Sequence, residues 1–237
     1  MGIIVVSGTG TEIGKTVVTA ALVAVARARG QRVAVVKPAQ TGVSATEPGD
    51  LDEVSRLGGG VHGIELARFA EPLAPATAAR RAGVKGVRPD ETVAAVRQLA
   101  DDFDLVLVEG AGGLLVRFDE DGGTLADAAK LLSAPVLVVA PAGLGTLNSV
   151  ALTAEALAAR GIAQLGVVVG SWPHRPDLAA RCNVQDLPQV AGAPLLGAVP
   201  ERAGQLRPVD FRAQATRWLA PRLGGVWDER ALASTAG

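Results

Sequence analysis

The nine residues Gly8-Thr9-Gly10-Thr11-Glu12-Ile13-Gly14-Lys15-Thr16 offer the first readable chemistry in the chain. They follow the apolar run Ile3 to Val6 and lead into a stretch with helical apolar spacing. Glycines let the backbone curl so that its N–H groups, with a helix N-terminus behind them, point at one anionic group. Lys15 adds a point charge and Thr16 a hydroxyl suited to Mg²⁺. The arrangement is a phosphate-binding loop. The strict pattern places a glycine where this chain has Thr9, so the loop counted from Gly8 is one residue longer. A tight strand-to-helix turn with incidental glycines explains the spacing less well, because it gives no reason for Gly14-Lys15-Thr16 at its end. The loop speaks for a nucleotide and leaves the phosphate acceptor open.

Two further positions carry charge where strands should end. The chain has four lysines, Lys15, Lys37, Lys85 and Lys130, against nineteen arginines. Where arginine is so favoured for solvated charge, a lysine closing the run Val33 to Val36 suggests a role that a guanidinium cannot fill. The carboxyl ends of parallel strands line the ligand crevice, so Lys37 is a candidate; the plainer reading is a lysine that snorkels from a strand end. Leu105 to Val108 then ends on Glu109, followed by Gly110-Ala111-Gly112-Gly113. A buried strand finishing on a carboxylate brings a hard oxygen ligand beside a phosphate loop, and the glycines permit close backbone approach. Its alternative is a polar strand cap followed by a turn.

Other constellations do not assemble. His62 and His174 have no Cys, Asp or His at ligand spacing and are expected in surface or loop positions. Neither forms a triad with a serine. Cys182, the single cysteine, forbids an internal disulfide and a cysteine-based metal cluster and reads as an incidental thiol.

The elements that must position these residues follow from periodicity. Unbroken apolar runs recur at Ile3 to Val6, Val33 to Val36, Leu105 to Val108, Val136 to Ala140, Leu165 to Val169 and Leu195 to Val199. Such runs suit parallel strands covered on both faces. Helical spacing fills 15–29, 90–100, 124–132 and 146–160, with Gly30 and Gly161 after two of these stretches and Thr124 as an N-cap before another. The alternation predicts an α/β fold of the P-loop NTPase type, three layers around a mainly parallel sheet. Residues 38–48, rich in Gly, Thr, Ser and Pro, read as a long functional loop. A weak helical pattern covers 211–219, and fraying is expected from about residue 224.

At 237 residues, one domain spanning 1–237 is the default for such a fold. With 49% hydrophobic and 20% charged residues and a positive mean hydropathy, a sizeable core is available, which excludes disorder, collagen and coiled coil. The net charge of -1, without a basic block, gives no reason to expect nucleic acid or an anionic membrane as partner. No apolar run approaches the ~18 residues of a membrane span. The N-terminus lacks a signal-peptide pattern, and Val6 stands where a myristoylation motif needs Ser or Thr. A cytoplasmic location is expected.

Taken together, GTGTEIGKT, then VVKPAQTG, VEGAGGLLV and LGTLNSVALTAEAL, in that order and spacing, resemble the dethiobiotin synthetase family over most of residues 1–200. The resemblance implies a single P-loop α/β domain, a homodimer, and ATP-dependent ring closure of 7,8-diaminopelargonic acid with CO2. One amine takes up CO2 as a carbamate, whose oxygen attacks the γ-phosphate of MgATP. The second amine then displaces phosphate from the carbamic-phosphoric anhydride, closing the cyclic urea of dethiobiotin. No protein nucleophile is needed. Carbamate and triphosphate repel, so cations must gather them.

By the same resemblance Lys37, Lys15 and Thr11 are catalytic, and Thr41 contacts substrate. Glu12, Ile13, Gly14, Lys15, Thr16 and Val17 surround the phosphates, and Glu109, Gly110, Ala111 and Gly112 also touch the nucleotide. Mg²⁺ is assigned to Thr16, Glu109 and a loop aspartate. Asp50 aligns better there than Asp52, which is left as a water-mediated ligand or a helix cap. Gly145 and Asn148 begin the segment that receives the substrate carboxylate across the dimer. Gly170, Ser171 and Pro200 fall at the base-binding end, where the chain departs from the family: Gly170-Ser171-Trp172-Pro173 lacks the frequent asparagine, and Glu201-Arg202 replaces bulky apolar residues after Pro200. Missing an amide for the adenine edge, the site is expected to discriminate bases weakly. The main alternative is a switch ATPase that partitions chromosomes or carries metal clusters. Thr9-Gly10 stands where such proteins bring an extra lysine, and no amphipathic tail or cysteine pair is present. The amide-forming ATPase of cobyrinic acid diamide synthases would need a glutaminase domain that the chain does not contain. Lys37→Ala is expected to abolish turnover and spare the fold.

Overall fold

Every residue of Val33–Lys37 and Val136–Ala140 is buried, as strands covered on both faces must be. A computed structural model describes residues 2–99 and 101–228. Its strands are β1 (Gly2–Gly8), β2 (Val33–Lys37), β3 (Gln40–Thr41), β4 (His62–Glu65), β5 (Arg68–Phe69), β6 (Leu105–Gly113), β7 (Val136–Ala140), β8 (Gln164–Trp172) and β9 (Leu195–Pro200). The helices are α1 (Lys15–Ala28), α2 (Asp50–Gly58), α3 (Pro75–Arg81), α4 (Pro89–Gln98), α5 (Leu125–Leu132), α6 (Thr146–Ala159), α7 (Leu178–Ala191) and α8 (Pro208–Ala215).

Seven strands form one parallel sheet in the order β4-β2-β6-β1-β7-β8-β9, and β3 pairs with β5 in a separate two-stranded parallel sheet. From β1 the chain steps to β2 and β4 on one side; from β6 it steps through β7 and β8 to β9 on the other. Right-handed crossovers therefore place α1 and α2 on one face and α5, α6 and α7 on the opposite face. The packing agrees, since α1 lies against α2 and α8, and α6 against α7. Helix α1 is buried without a break from Val18 to Ala26, being wedged between the sheet and two other helices. The direction of winding reverses at β1, and the crevice beyond its carboxyl end is where such sheets bind ligands.

All six apolar runs are strands, and the four helical stretches are helices to within two residues, Ala100 lying outside the described residues. Thr124 is an N-cap, its hydroxyl accepting from the Asp127 N–H while Asp127 accepts from the Thr124 N–H. His62 is at the surface as expected, exposed on the edge strand β4 with its ring 5.2 Å from that of Phe103. Two details differ from the sequence expectation. The segment 38–48 contains β3, because two-residue strands have no periodicity to read. Residues 224–228, expected to begin a frayed tail, are held through Trp227. That side chain is buried, and the N–H groups of Val226 and Trp227 donate to the carbonyls of Thr216 and Leu219 at 2.7 and 2.9 Å. The remainder of that tail, 229–237, lies outside the described residues.

Candidate active site

The phosphate loop closes β1 onto α1 with backbone geometry that the glycines make possible. Gly14, the residue before α1, has φ 95° and puts no side chain across the helix N-terminus; the first turn of α1 has no acidic residue either. Its N–H groups are left facing the crevice, where an anion gains from the helix dipole. A Cβ on Gly14 would lie 2.4 Å from the carbonyl oxygen of Gly170, and one on Gly170 would lie 2.0 Å from the carbonyl oxygen of Ile13. The loop and the end of β8 are thus pressed backbone to backbone, a contact in which neither residue has room for a side chain. Lys15 folds over the loop, its ammonium donating to the Gly10 carbonyl at 2.7 Å.

Beside the loop, three elements bring charge to one point. Lys37 ends β2 and is only 2% exposed. Its ammonium donates to Glu109 Oε1 at 2.9 Å and to the Gly110 carbonyl at 3.2 Å, and pairs with Asp50 Oδ2. The Thr16 hydroxyl donates to the same Glu109 Oε1 at 3.0 Å. Asp50, the first residue of α2, also lies against Thr16 and Glu109. Burial works against the Lys37 ammonium, but the charges of Glu109 and Asp50 outweigh it and hold Lys37 above its ordinary value. Burial likewise opposes ionisation of Asp50, and the neighbouring Lys37 charge overcomes it, holding that carboxyl below its ordinary value. Lys15 has the opposite balance: burial, reinforced by the Lys37 charge, holds it below the usual lysine range.

The donor set fits a hard divalent cation. Glu109 Oε2 is buried and has no hydrogen-bond partner, although the other oxygen of the same carboxylate has two. A buried carboxylate oxygen left bare is costly unless something cationic meets it. Two carboxylates and a hydroxyl beside a phosphate cradle are donors of the kind a Mg²⁺ ion takes from a protein. Among the described residues no cluster of three or more His, Cys, Asp or Glu side chains could hold a metal. Asp52, the other candidate aspartate, turns away, its Oδ2 accepting from the Gly49 N–H at 2.7 Å as a cap on α2.

These groups open into a cavity of about 640 Å³. Thr11, Glu12, Gly14, Lys15, Thr16, Lys37, Thr41 and Asp50 line it, and Gly110, Ala111 and Gly112 form its other wall. Glu109 sits beneath, while Ile13 and Val17 pack toward the core. The structure does not bring Gly170, Ser171, Pro200, Gly145 or Asn148 to this cavity. Gly170 is buried under the phosphate loop, Ser171 and Pro200 are exposed near the ends of β8 and β9, and Gly145 and Asn148 are exposed at the start of α6. Several contributors escaped the sequence. Gln40 lies between Lys37 and Thr41 and lines the cavity, as do Val43 and Val116; Pro72 to Ala74, between β5 and α3, and Pro75 at the start of α3 close one side. Gln40 could have been found as the residue between two flagged positions, whereas nothing in the Pro72 to Pro75 segment signals its place.

A family model described as an AAA domain matches residues 3–208. The chain is 65% identical over 234 residues to the ATP-dependent dethiobiotin synthetase BioD of Streptomyces avermitilis, covering 99% of this chain and 98% of that one. It is 61% identical over 237 residues to the protein of the same description from Streptomyces coelicolor, with full coverage of both. Among solved structures, the ParA family ATPase of Chlorobium tepidum superposes with a TM-score of 0.57 at 16% identity, covering 94% of this chain and 95% of that one. The MinD cell division protein of Aquifex aeolicus gives 0.54 at 15%, covering 91% and 87%. At such identities the two structures speak for the shared fold alone.

Proposed function

The chain belongs to the ATP-dependent dethiobiotin synthetases, and from that premise we propose which of its residues perform each part of the ring closure. The reaction joins 7,8-diaminopelargonic acid and CO2 into dethiobiotin at the expense of ATP, through a carbamate and a carbamic-phosphoric anhydride. The phosphate loop holds the triphosphate by its N–H groups, and Lys15 leaves the Gly10 carbonyl to neutralise phosphate oxygens. Thr16, Asp50 and Glu109 would hold Mg²⁺, which would supply positive charge against the phosphates.

Lys37 carries the reading. Its ammonium is buried beside the phosphate loop and is held charged by Glu109 and Asp50. A cation so placed gathers the carbamate and the transferring phosphoryl group, two anions that repel in water. Thr11 and Thr41 face the cavity near it and are assigned to the carbamate and the diamine. Once the carbamate oxygen has taken the γ-phosphoryl group, the second amine attacks the carbamoyl carbon, phosphate leaves, and the amine proton passes to solvent or phosphate. The chain needs to contribute no nucleophile.

Gly145 and Asn148 lie outside the cavity, so their assignment to the substrate carboxylate requires a second copy of the chain. Leu144, 93% exposed, and Leu152, 58% exposed, flank them with apolar surface of the kind that a homodimer covers. Ser171 and Pro200 are assigned to the rim that meets the base. A cytoplasmic location is part of the same reading; among the described residues no helix is long and apolar enough to cross a membrane.

The test is incubation with diaminopelargonic acid, bicarbonate and MgATP, following dethiobiotin by mass spectrometry and phosphate by colour. Equal amounts of both are expected. Phosphate release indifferent to the diamine, with no dethiobiotin, would count against the reading and favour a switch ATPase.

A further inference from the structure

Gln40 and Arg68 are direct Cα partners in the two-stranded sheet of β3 and β5, and both side chains reach the turn that leads into α2. Gln40 Oε1 accepts from the Asp50 N–H at 2.8 Å, while its amide nitrogen donates to the Thr41 carbonyl at 3.2 Å. Arg68 Nη1 donates to the carbonyls of Ser44 and Glu47 at 3.1 and 2.6 Å. Its Nε and Nη2 grip the Glu65 carboxylate at 2.7 and 3.0 Å, and Asp52 lies 3.9 Å from Nη2. The guanidinium fork is therefore fixed from one side by Glu65 and used on the other to hold the turn. Gly49 passes between the two side chains: a Cβ there would lie 2.8 Å from Arg68 Nη2 and 3.0 Å from Gln40 Oε1.

The segment 42–49 is largely exposed; besides this pair it is held by the Gly42 and Val43 N–H groups donating to the Glu71 and Phe69 carbonyls and by the Gly49 N–H donating to Asp52. Without the pair, the Gly-, Ser- and Thr-rich turn would place the start of α2, and with it the Asp50 carboxylate that meets Lys37, less tightly. The geometry points to Gln40 and Arg68 as positioning residues that clamp the turn at Gly49 and so hold Asp50 against Thr16 and Glu109 in the arrangement a divalent cation needs. This explains why so short a second sheet exists, since the first of its two register pairs presents the two clamp side chains side by side. The inference rests on reading Asp50 as a metal ligand. Groups that orient a ligand without touching the metal typically change its affinity 10- to 100-fold.

The test uses the full chain with ADP, measuring free Mn²⁺ by electron paramagnetic resonance with the nucleotide-only titration subtracted. Arg68→Ala, Gln40→Ala and Gly49→Ala are compared with Asp50→Asn and with each combination. Gly49→Ala removes no charge and no hydrogen-bonding side chain, and its φ of -102° tolerates alanine, so it separates clamp from turn if Arg68→Ala fails to fold. Each single clamp variant is expected to weaken Mn²⁺ binding about 10- to 100-fold, with no further loss in the Asp50→Asn background. Without metal, Gln40→Ala should also speed hydrogen exchange at the Asp50 amide. Unchanged affinity in the clamp variants, with Asp50→Asn weakened, would overturn the clamp and keep the ligand. Losses that persist in full alongside Asp50→Asn would overturn it too, showing an effect that does not pass through Asp50. Wild-type affinity in Asp50→Asn would remove the ligand reading and the clamp with it.

Discussion

The two ends of the crevice are built from different material. At the end formed by β1, β2 and β6, function is written in side chains: Lys37, Glu109, Asp50 and Thr16 come from four elements and bond one another directly. At the end formed by β8 and β9, backbone does most of the work. Gly170 is pressed under the phosphate loop, the Glu201 N–H donates to the Trp172 carbonyl at 2.7 Å, and the Glu201 carboxylate accepts from the His174 N–H at 2.9 Å. Charge must be matched where phosphoryl groups move, and only particular side chains match it. On the proposed assignment, this end has only to accommodate a flat base, for which shape suffices.

The sharpest way to break this contrast is at Lys37. Loss of its ammonium should lower turnover by at least about 100-fold, the scale of one preorganised charge-stabilising donor. The buried ion pairs of Lys37 add a predicted stability cost to the expected loss of turnover in Lys37→Ala. With the lysine gone, the buried Glu109 faces Asp50 without a counter-charge, and breaking a buried pair of this kind costs about 3–5 kcal/mol. Mg²⁺ should therefore raise the melting temperature of Lys37→Ala more than that of the parent chain. Equal shifts would mean that the two carboxylates do not depend on Lys37. Retained full turnover would remove its assignment altogether.

At the other end the matching experiment is Gly170→Ala. The new Cβ would fall 2.0 Å from the Ile13 carbonyl oxygen and 2.7 Å from Val139 Cγ1, so loop or strand must move. Overpacking of this kind costs about 1–3 kcal/mol, and the displaced loop should weaken ADP binding. Thermal unfolding and calorimetry read the two effects. A variant unchanged in both would show that the backbone contact is dispensable and that the β8 end does not act through shape.

These two residues also show what a sequence makes legible. Lys15 and Thr16 could be read because they close a glycine-rich loop between a strand and a helix, and Glu109 because it ends an apolar run ahead of a run of glycines. Lys37 stood out through the scarcity of lysine, and Asp50 through family resemblance alone, as its helix offers three acidic residues in the first turn. Gly170 was read only as part of the base-binding end, and its packing against Ile13 appears only once β8 lies under the loop. The meeting of Gln40 with Arg68 was invisible because it depends on strands of two residues. The apolar periodicity that yields the seven-stranded sheet carries no information at that length.

A smaller effect tests the electrostatics within the charged end. Lys15 is held below the ordinary lysine value by burial and by Lys37, so the ligand-free chain loses its proton at a lower pH than an exposed lysine does. Between that lowered value and the ordinary one the unfolded chain binds more protons, and this group's contribution to stability rises with pH. Lys37, held above its ordinary value, contributes stability that is complete below that value and is lost as pH rises through the raised one. Phosphate oxygens restore the Lys15 proton. ADP affinity should thus fall on the alkaline side by up to about tenfold per pH unit, with proton uptake on binding. Calorimetry in buffers of different ionisation enthalpy measures that uptake. Its absence across the alkaline range would place the Lys15 ammonium away from the phosphates.

The smallest expected effect belongs to the base. Ser171 and Pro200 present no side-chain amide, and the nearby Glu201 carboxylate is already engaged by the His174 N–H. A rim lacking a fixed donor–acceptor pair does not reject a base by leaving its own buried polar groups unpaired, which is how strong discrimination arises. Turnover with ATP, CTP and GTP at saturation should accordingly agree within about tenfold, the range left to contacts of shape. Lys37→Ala should depress all three alike, because the charged end handles the phosphates they share. A preference for ATP much beyond that range would mean that the β8–β9 end reads hydrogen bonds after all, through backbone groups of Ser171 to Arg202 that face the base. The division between a charge-matched end and a shape-matched end would then fail at its second half.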